Sequence, residues 1–234
     1  MNRIYTFLLC GILGSVFFGI ASFVYAAEPQ FLVSWKPLVY TPRWYGGKAI
    51  PVKDSLVSVS FELIDQNDSN KGKIINIGSS EVRWYIGTKL IQKGIGLQTI
   101  TIQNNLFSGD TINVKIAVDF LDSKTQEKYF VEKYIRIPVT ERKLFLVRRW
   151  MDTTLAPRAQ ATWYAVPLFF SSDPKSATIN WTVNGQEVTP LSDNPFAFTI
   201  QAGNAGQTAD IEVSLKNNNS LWENANAFER VYIR

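Results

Sequence analysis

The 234-residue chain has no histidine and one cysteine, Cys10. Ser-His-Asp and Cys-His catalysis, thiolate or imidazole zinc sites and the usual haem ligation each need one of those groups, so all are excluded for the residues beyond the N-terminus. No cofactor and no metal are expected, and neither is an enzyme. No internal disulfide can form, so packing alone must hold whatever folds. Charge is also sparse. Only 19% of residues are charged, and the 24 basic and 20 acidic side chains are dispersed, for a net +4. Nucleic-acid binding needs a concentrated basic surface, so no nucleic-acid partner is expected. The mild positivity suits anionic surfaces such as cell-wall polymers or lipid headgroups. Paired carboxylates can hydrolyse glycosides without histidine. Asp119 with Asp122 and Asp173 with Asp193 are the candidates, but nothing in their spacing sets either pair across a cleft.

Residues 1–27 differ from all that follows. Arg3 leads into an apolar run from Phe7 to Ile20, then Val24-Tyr25-Ala26-Ala27, and no charged residue stands between Arg3 and Glu28. A basic start, an apolar centre and small residues at the end make a secretory signal, with cleavage expected after Ala26. The alternative is a retained membrane anchor, since Phe7 to Val24 is near the lower length limit for crossing a bilayer. A lipoprotein is disfavoured because bulky Leu9 precedes Cys10. Either way the remainder is expected outside the cytoplasm, secreted or anchored at the cell surface.

From Phe31 onward apolar residues recur with period two, in short runs broken by Gly, Asn, Asp, Ser and Pro, which is the pattern of strands and turns. Val57 to Leu63, Val82 to Ile86, Thr99 to Ile102 and Ile112 to Val118 each have one apolar face. The second half repeats the plan. Ile179-Asn180-Trp181-Thr182-Val183 answers Val82-Arg83-Trp84-Tyr85-Ile86, Phe198-Thr199-Ile200 answers Ile100-Thr101-Ile102, and Ile211 to Leu215 answers Ile112 to Ile116. The two tryptophans are 97 residues apart. Roughly 100 residues and about seven strands make an immunoglobulin-type sandwich. The expected fold is all-β: two tandem immunoglobulin-like antiparallel β-sandwiches at 28–139 and 140–234, behind the N-terminal hydrophobic segment at 1–27. The short boundary around Pro138 to Lys143 implies modules stacked end to end.

The Trp84-Tyr85-Ile86-Gly87 and Trp181-Thr182-Val183-Asn184-Gly185 elements, each followed by alternating strands around a turn, resemble the central region of Ig-like and PKD-like extracellular modules. The stretch from Ser34-Trp35-Lys36 through Tyr40-Thr41-Pro42-Arg43-Trp44-Tyr45-Gly46-Gly47-Lys48 to Pro51 is similar to exported tandem Ig-like proteins of candidate-phyla bacteria. The resemblance implies a scaffold and assigns no catalytic residue; the inter-sheet cysteine pair of antibody domains is missing.

Trp84 and Trp181 share a face with Val and Ile neighbours and are expected as core tryptophans. The loop Tyr40 to Gly47 carries two rings and an arginine, so Arg43, Trp44 and Tyr45 are candidate ligand or partner contacts. The alternative, favoured because large aromatics mostly find burial, is that the loop folds onto the base of the first sandwich as a lid. Trp150, Trp163 and Trp222 face the same choice. Adjacent Trp163 and Tyr164 must point to opposite faces of a strand, which leaves one of them outward or in the inter-domain joint, and Pro167 marks that strand as an edge or a bulge. Trp163 is a fourth candidate contact. Asp65 to Asn70 spaces oxygens like a calcium loop, but Asn70 replaces the glycine and Asn76 the closing glutamate, so a solvated turn is expected. The basic ends of Arg142 to Arg149 read as strand flanks near the joint.

These readings converge on a non-enzymatic cell-surface or envelope protein, a structural or adhesive interaction module whose partner is a protein or an envelope assembly, with the membrane reached through the N-terminal segment. The alternative is a glycan-binding module that recognises cell-wall or capsule polysaccharide through Trp44, Tyr45 and Trp163.

Overall fold

The computed structural model describes residues 28–66, 71–121, 128–148, 154–171, 173–218, 220 and 223–234. The N-terminal apolar segment lies outside them, as do Asn67 to Asn70 of the suspected calcium loop, Asp122, Trp150 and Trp222. Among the described residues there is no α-helix, and none that is long and apolar enough to cross a membrane.

The first sandwich consists of β1 (Gln30–Leu38), β2 (Leu56–Ile64), β3 (Glu81–Ile86), β4 (Lys89–Ile95), β5 (Thr99–Gln103), β6 (Thr111–Leu121) and β7 (Lys128–Pro138). One sheet runs β1-β2-β5 and the other β4-β3-β6-β7. The second sandwich consists of β8 (Lys143–Arg148), β9 (Thr154–Leu155), β10 (Gln160–Leu168), β11 (Thr178–Val183), β12 (Gln186–Val188), β13 (Ala197–Gln201), β14 (Thr208–Lys216) and β15 (Asn224–Ile233). Its sheets run β13-β10-β8 and β12-β11-β14-β15-β9. The plan is the same in both, three strands against four, with one addition: short β9 lies parallel to the end of β15.

Alternation explains the layers. In β6, Ile112, Val114, Ile116, Val118 and Phe120 point inward, and Val57, Val59, Phe61 and Leu63 of β2 meet them. β-Branched and aromatic side chains suit such a half-buried pleat. Trp84 and Trp181 are fully buried. Each indole donates its N–H to a carbonyl in the connection that follows its hairpin: Trp84 Nε1 to Leu97 O, and Trp181 Nε1 to Pro195 O, both at 2.9 Å. Phe61 meets Trp84 edge-on at 5.5 Å, and Phe198 stacks on Trp181 at 5.2 Å. The hairpin after β11 turns on Asn184 and Gly185, both at positive φ, as a two-residue turn between right-twisted strands requires.

With no disulfide between the sheets, these rings carry much of the cohesion. Replacing Trp84 or Trp181 by alanine is expected to cost about 3–5 kcal/mol in the unfolding of its own sandwich. Chemical denaturation of the two variants against the parent measures this; a loss below about 1 kcal/mol would contradict it.

A candidate binding groove at the joint

After β1 the chain does not return along its own sandwich. Tyr40 N donates to Phe170 O at 2.5 Å, and Phe169 N donates to Tyr40 O at 2.8 Å, an antiparallel bridge to the segment that follows β10. Val52, Leu168 and Phe169 form a small buried cluster, with Val39, Tyr45, Ala49 and Ile50 packed against it. The Tyr45 ring meets Phe169 edge-on at 5.9 Å. The expectation of a lid on the base of the first sandwich is thus corrected: the loop docks on the second. The physical reason lies in Leu168-Phe169-Phe170, three consecutive buried apolar residues. A regular strand sends neighbours to opposite faces, so one core cannot take all three. Phe169 has φ of 65°, in the left-handed region that a bulky residue enters at a cost of about 1–3 kcal/mol. This turn sends Phe170 into the second core and leaves Leu168 and Phe169 for the Val39 to Val52 segment.

A buried ion pair reinforces the contact. Arg142 Nη2 donates to Lys53 O of the first sandwich at 2.7 Å, while its Nε lies 3.6 Å from Glu223 Oε1 of the second. Glu223 is 1% exposed and also accepts from Ser171 N and Asn217 Nδ2. Thr140 N donates to Pro51 O at 2.9 Å beside it. Burial alone would raise the Glu223 pKa. The hydrogen bonds from Ser171 and Asn217 and the charge of Arg142 together outweigh it and hold the carboxyl below its ordinary value. Burial lowers Arg142, only partly offset by Glu223 and Asp54. The reading of Arg142 as a mere strand flank therefore gives way to a residue that ties the two halves together.

The docked loop walls a groove of about 450 Å³. Tyr40, Pro42 and Trp44 form one side, and Val147, Tyr164 and Phe196 stand among the residues of the other. The groove is open because β13 pairs only with Gln160 to Tyr164 of β10. Ala165 N still donates to Phe196 O on that side; two residues on, the same side falls to Pro167, which has no N–H. Pro167 thus sits at a local edge, and its missing donor bars a further strand from pairing there.

Of the candidate contacts, Trp44 is 70% exposed at the groove, Arg43 is exposed beside it, and Tyr45 is half-buried with its hydroxyl 3.4 Å from Lys48 O. Trp163 does not join them. It is fully buried, its Nε1 donates to Glu229 Oε2 at 2.9 Å, and the Arg148 guanidinium lies over its ring at 5.2 Å and 2.8 Å from Glu229. The strand parity that sends Trp163 inward sends Tyr164 outward, 47% exposed, into the groove. The adjacency of the two residues signalled that one faces out; the packing of Trp163 into the second core, with Glu229 and Arg148 receiving its ring, decides which. Of the suggested carboxylate pairs, Asp122 lies outside the described residues. Asp119 binds Arg83 at 2.5 Å, and Asp173 caps a three-residue 3-10 turn. Among the described residues no cluster of His, Cys, Asp and Glu is arranged to hold a metal ion.

No known family model matches the chain, and no curated protein matches it in sequence. Among solved structures it is similar to the fibronectin(III)-like modules of Clostridium thermocellum CbhA, at 14% identity over 87% of this chain and 94% of that chain, with a TM-score of 0.29. It is similar to murine CEACAM1b at 13% identity over 87% and 99%, with a TM-score of 0.30. The three N-terminal domains of the bacteriophage RB49 highly immunogenic outer capsid protein give 11% identity over 88% and 70%, with a TM-score of 0.33. Similarities this distant assign no function and no site residue.

The ion pair has a pH signature. A carboxyl whose folded-state pKa lies below its unfolded value adds stability that is complete above the ordinary value of 4.5 and is lost as the pH falls through the folded-state value. Melting of the parent is expected to fall as the pH drops from 4.5 toward the folded-state value and to level off below it. In Glu223→Gln melting should be lower at neutral pH, and the acid-dependent loss should be smaller than in the parent. Parallel melting curves from pH 7 to pH 3 would refute the assignment.

Proposed function

We propose that the chain is an exported, non-enzymatic interaction module of the cell surface or envelope. In this reading residues 28–139 and 140–234 act as two modules at a fixed joint, and the groove beside Trp44 receives a protein partner. The observation that carries it is the exposed Trp44 ring facing Tyr164, on a loop whose flanking Tyr40 and Tyr45 are packed. Large aromatics on a rigid support, at the mouth of an apolar groove, are the anchors that dominate protein contacts. A glycan site needs several directed donors and acceptors beside the stacking ring, and here Lys175 and Asn194 are the groove's main polar side chains. Of the three rings in the glycan reading, only Trp44 is presented. Export is supported by the apolar pattern of residues 1–27, and the absence of catalysis by the lack of histidine and of any thiol beyond Cys10.

The test is retention of the labelled full chain on envelope fragments of the producing cell. Trp44→Ala and Tyr164→Ala are each expected to weaken retention at least about tenfold, in the range of an interface hot spot, with the melting temperature nearly unchanged. Protease treatment of the fragments should abolish retention. Retention that survives protease but not glycan hydrolysis would transfer the site to the glycan reading, and full retention by Trp44→Ala would remove the groove from the function.

A further inference from the structure

We infer that the chain self-associates by antiparallel pairing of β7 with β7 of a second copy, about a two-fold axis through Tyr134. The inference does not rest on a partner binding in the groove. It starts from a difference in strand pairing between the two sandwiches. β15 and β7 hold the same place, at the end of the sheet beside β14 and β6. They also share a pattern of outward residues, Phe130, Tyr134 and Arg136 in β7 against Phe228, Tyr232 and Arg234, each pair 98 residues apart. The far side of β15 is closed at its C-terminal end by β9, where Tyr232 pairs with Thr154 and Ile233 with Leu155. β9 comes from the connection between β8 and β10. The matching connection in the first sandwich, between β1 and β2, is the segment that docks at the joint. Among the described residues no strand takes the β9 place, and the far edge of β7 is open along its 11 residues.

The backbone of that edge is poised to pair. Val139 N donates to Asp110 O on the β6 side, and the register of β7 on β6 is unbroken from Lys128 to Pro138. The odd residues therefore bond to β6, and the even residues direct their N–H and C=O groups to the open edge. Pro138, which has no N–H, falls in the edge-facing set, as strand prolines do. The same even residues carry the outward side chains, with Phe130 58% and Tyr134 64% exposed. A long edge with exposed rings templates further strands unless something covers it.

The side chains select a second copy and a register. A two-fold axis through Tyr134 sets Tyr134 against its copy, Glu132 against the partner's Arg136 twice, and Phe130 against the partner's Pro138 twice. Because the even residues face the edge, Tyr134 and its copy form a hydrogen-bonded pair. Moving the axis one residue toward the N-terminus sets Lys133 against its copy, and moving it two sets Glu132 against its copy. Moving it one residue the other way puts Glu132 opposite Pro138, without an ion pair. Like charges directly opposite destabilise a pair of strands and opposite charges stabilise it, so Tyr134 is the favoured centre. Lys115, 3.7 Å from Glu132, adds a second positive group on the same face.

The full chain, purified in mild detergent because of its N-terminal apolar segment, is examined by sedimentation equilibrium. A concentration-dependent monomer–dimer equilibrium is expected. Glu132→Arg and Arg136→Glu, each of which sets like charges opposite, should each weaken the dimer at least tenfold. The double variant, which restores opposite charges, should return to the parent constant, and its rescue separates lost pairing from lost folding. Tyr134→Cys in a Cys10→Ser background should give a disulfide-linked dimer under mild oxidant. A monomer at all concentrations, a dimer indifferent to the single reversals, or a double variant that stays dissociated would each overturn the inference.

Discussion

The segment from Val39 to Val52 docks on the second sandwich while Lys48 and Val52 stay tied to Trp35 and Asn104 of the first, and much of the architecture follows from that docking. By bridging Tyr40 to Phe170 and burying Val52 against Leu168 and Phe169, it commits to the second sandwich. That choice raises one wall of the groove, holds Trp44 at its mouth, and takes the first sandwich's own connection away from β7. The groove and the open edge have one cause. A structure in which residues 39–52 returned to β7 would have neither.

What holds the segment there is partly apolar and partly ionic, and the two parts do different things. Burial of Val52, Leu168, Phe169 and their neighbours supplies non-directional attraction, which must offset the backbone strain at Phe169. Such a cluster tolerates sliding. The Arg142 to Glu223 pair does not. Arg142 reaches a backbone carbonyl of one sandwich and a carboxylate of the other, and Glu223 is fixed in turn by Ser171 and Asn217. A buried ion pair contributes little net stability over an apolar substitute, but losing one partner costs about 3–5 kcal/mol, because the remaining charge is stranded. The pair therefore penalises every arrangement of the joint except the one that satisfies it.

The layers were legible in the sequence, because strand period, inward tryptophans and the repeat between halves are local signals. Val82-Arg83-Trp84-Tyr85-Ile86 and Ile179-Asn180-Trp181-Thr182-Val183 carry their burial in their own alternation. The joint was not legible in the same way. Nothing near Tyr40 encodes that its partner is Phe170, which lies 130 residues on. Local patterning likewise did not settle whether Trp163 or Tyr164 points inward; that depends on Glu229 and Arg148, which receive the indole. Arg142 looked like a flank because the acid that buries it is far along the chain. One long-range feature left a trace that period-two reading passes over. The matched Phe, Tyr and Arg of β7 and β15 occupy the polar phase of the alternation, where exposed aromatics repeat only if the surface, not the core, requires them.

The two surfaces differ in what they offer a partner, and proline explains the difference. In the groove, Pro167 removes the backbone donor at the place where β13 stops, so an incoming chain finds apolar walls and rings but no continuing ladder. A partner there would be held through side chains and selected by shape and apolar character. In β7 the proline stands at the very end, Pro138, so Phe130, Glu132, Tyr134 and Arg136 keep their donors. Recognition there runs through the backbone, which any extended chain satisfies, and selectivity falls to the charges of Glu132 and Arg136. A ladder that accepts any strand is safe in solution only if its side chains favour one partner. The partner present at the same concentration and exposure as β7 itself is another copy of β7, and the alternation of acid, ring and base along the edge is complementary to itself.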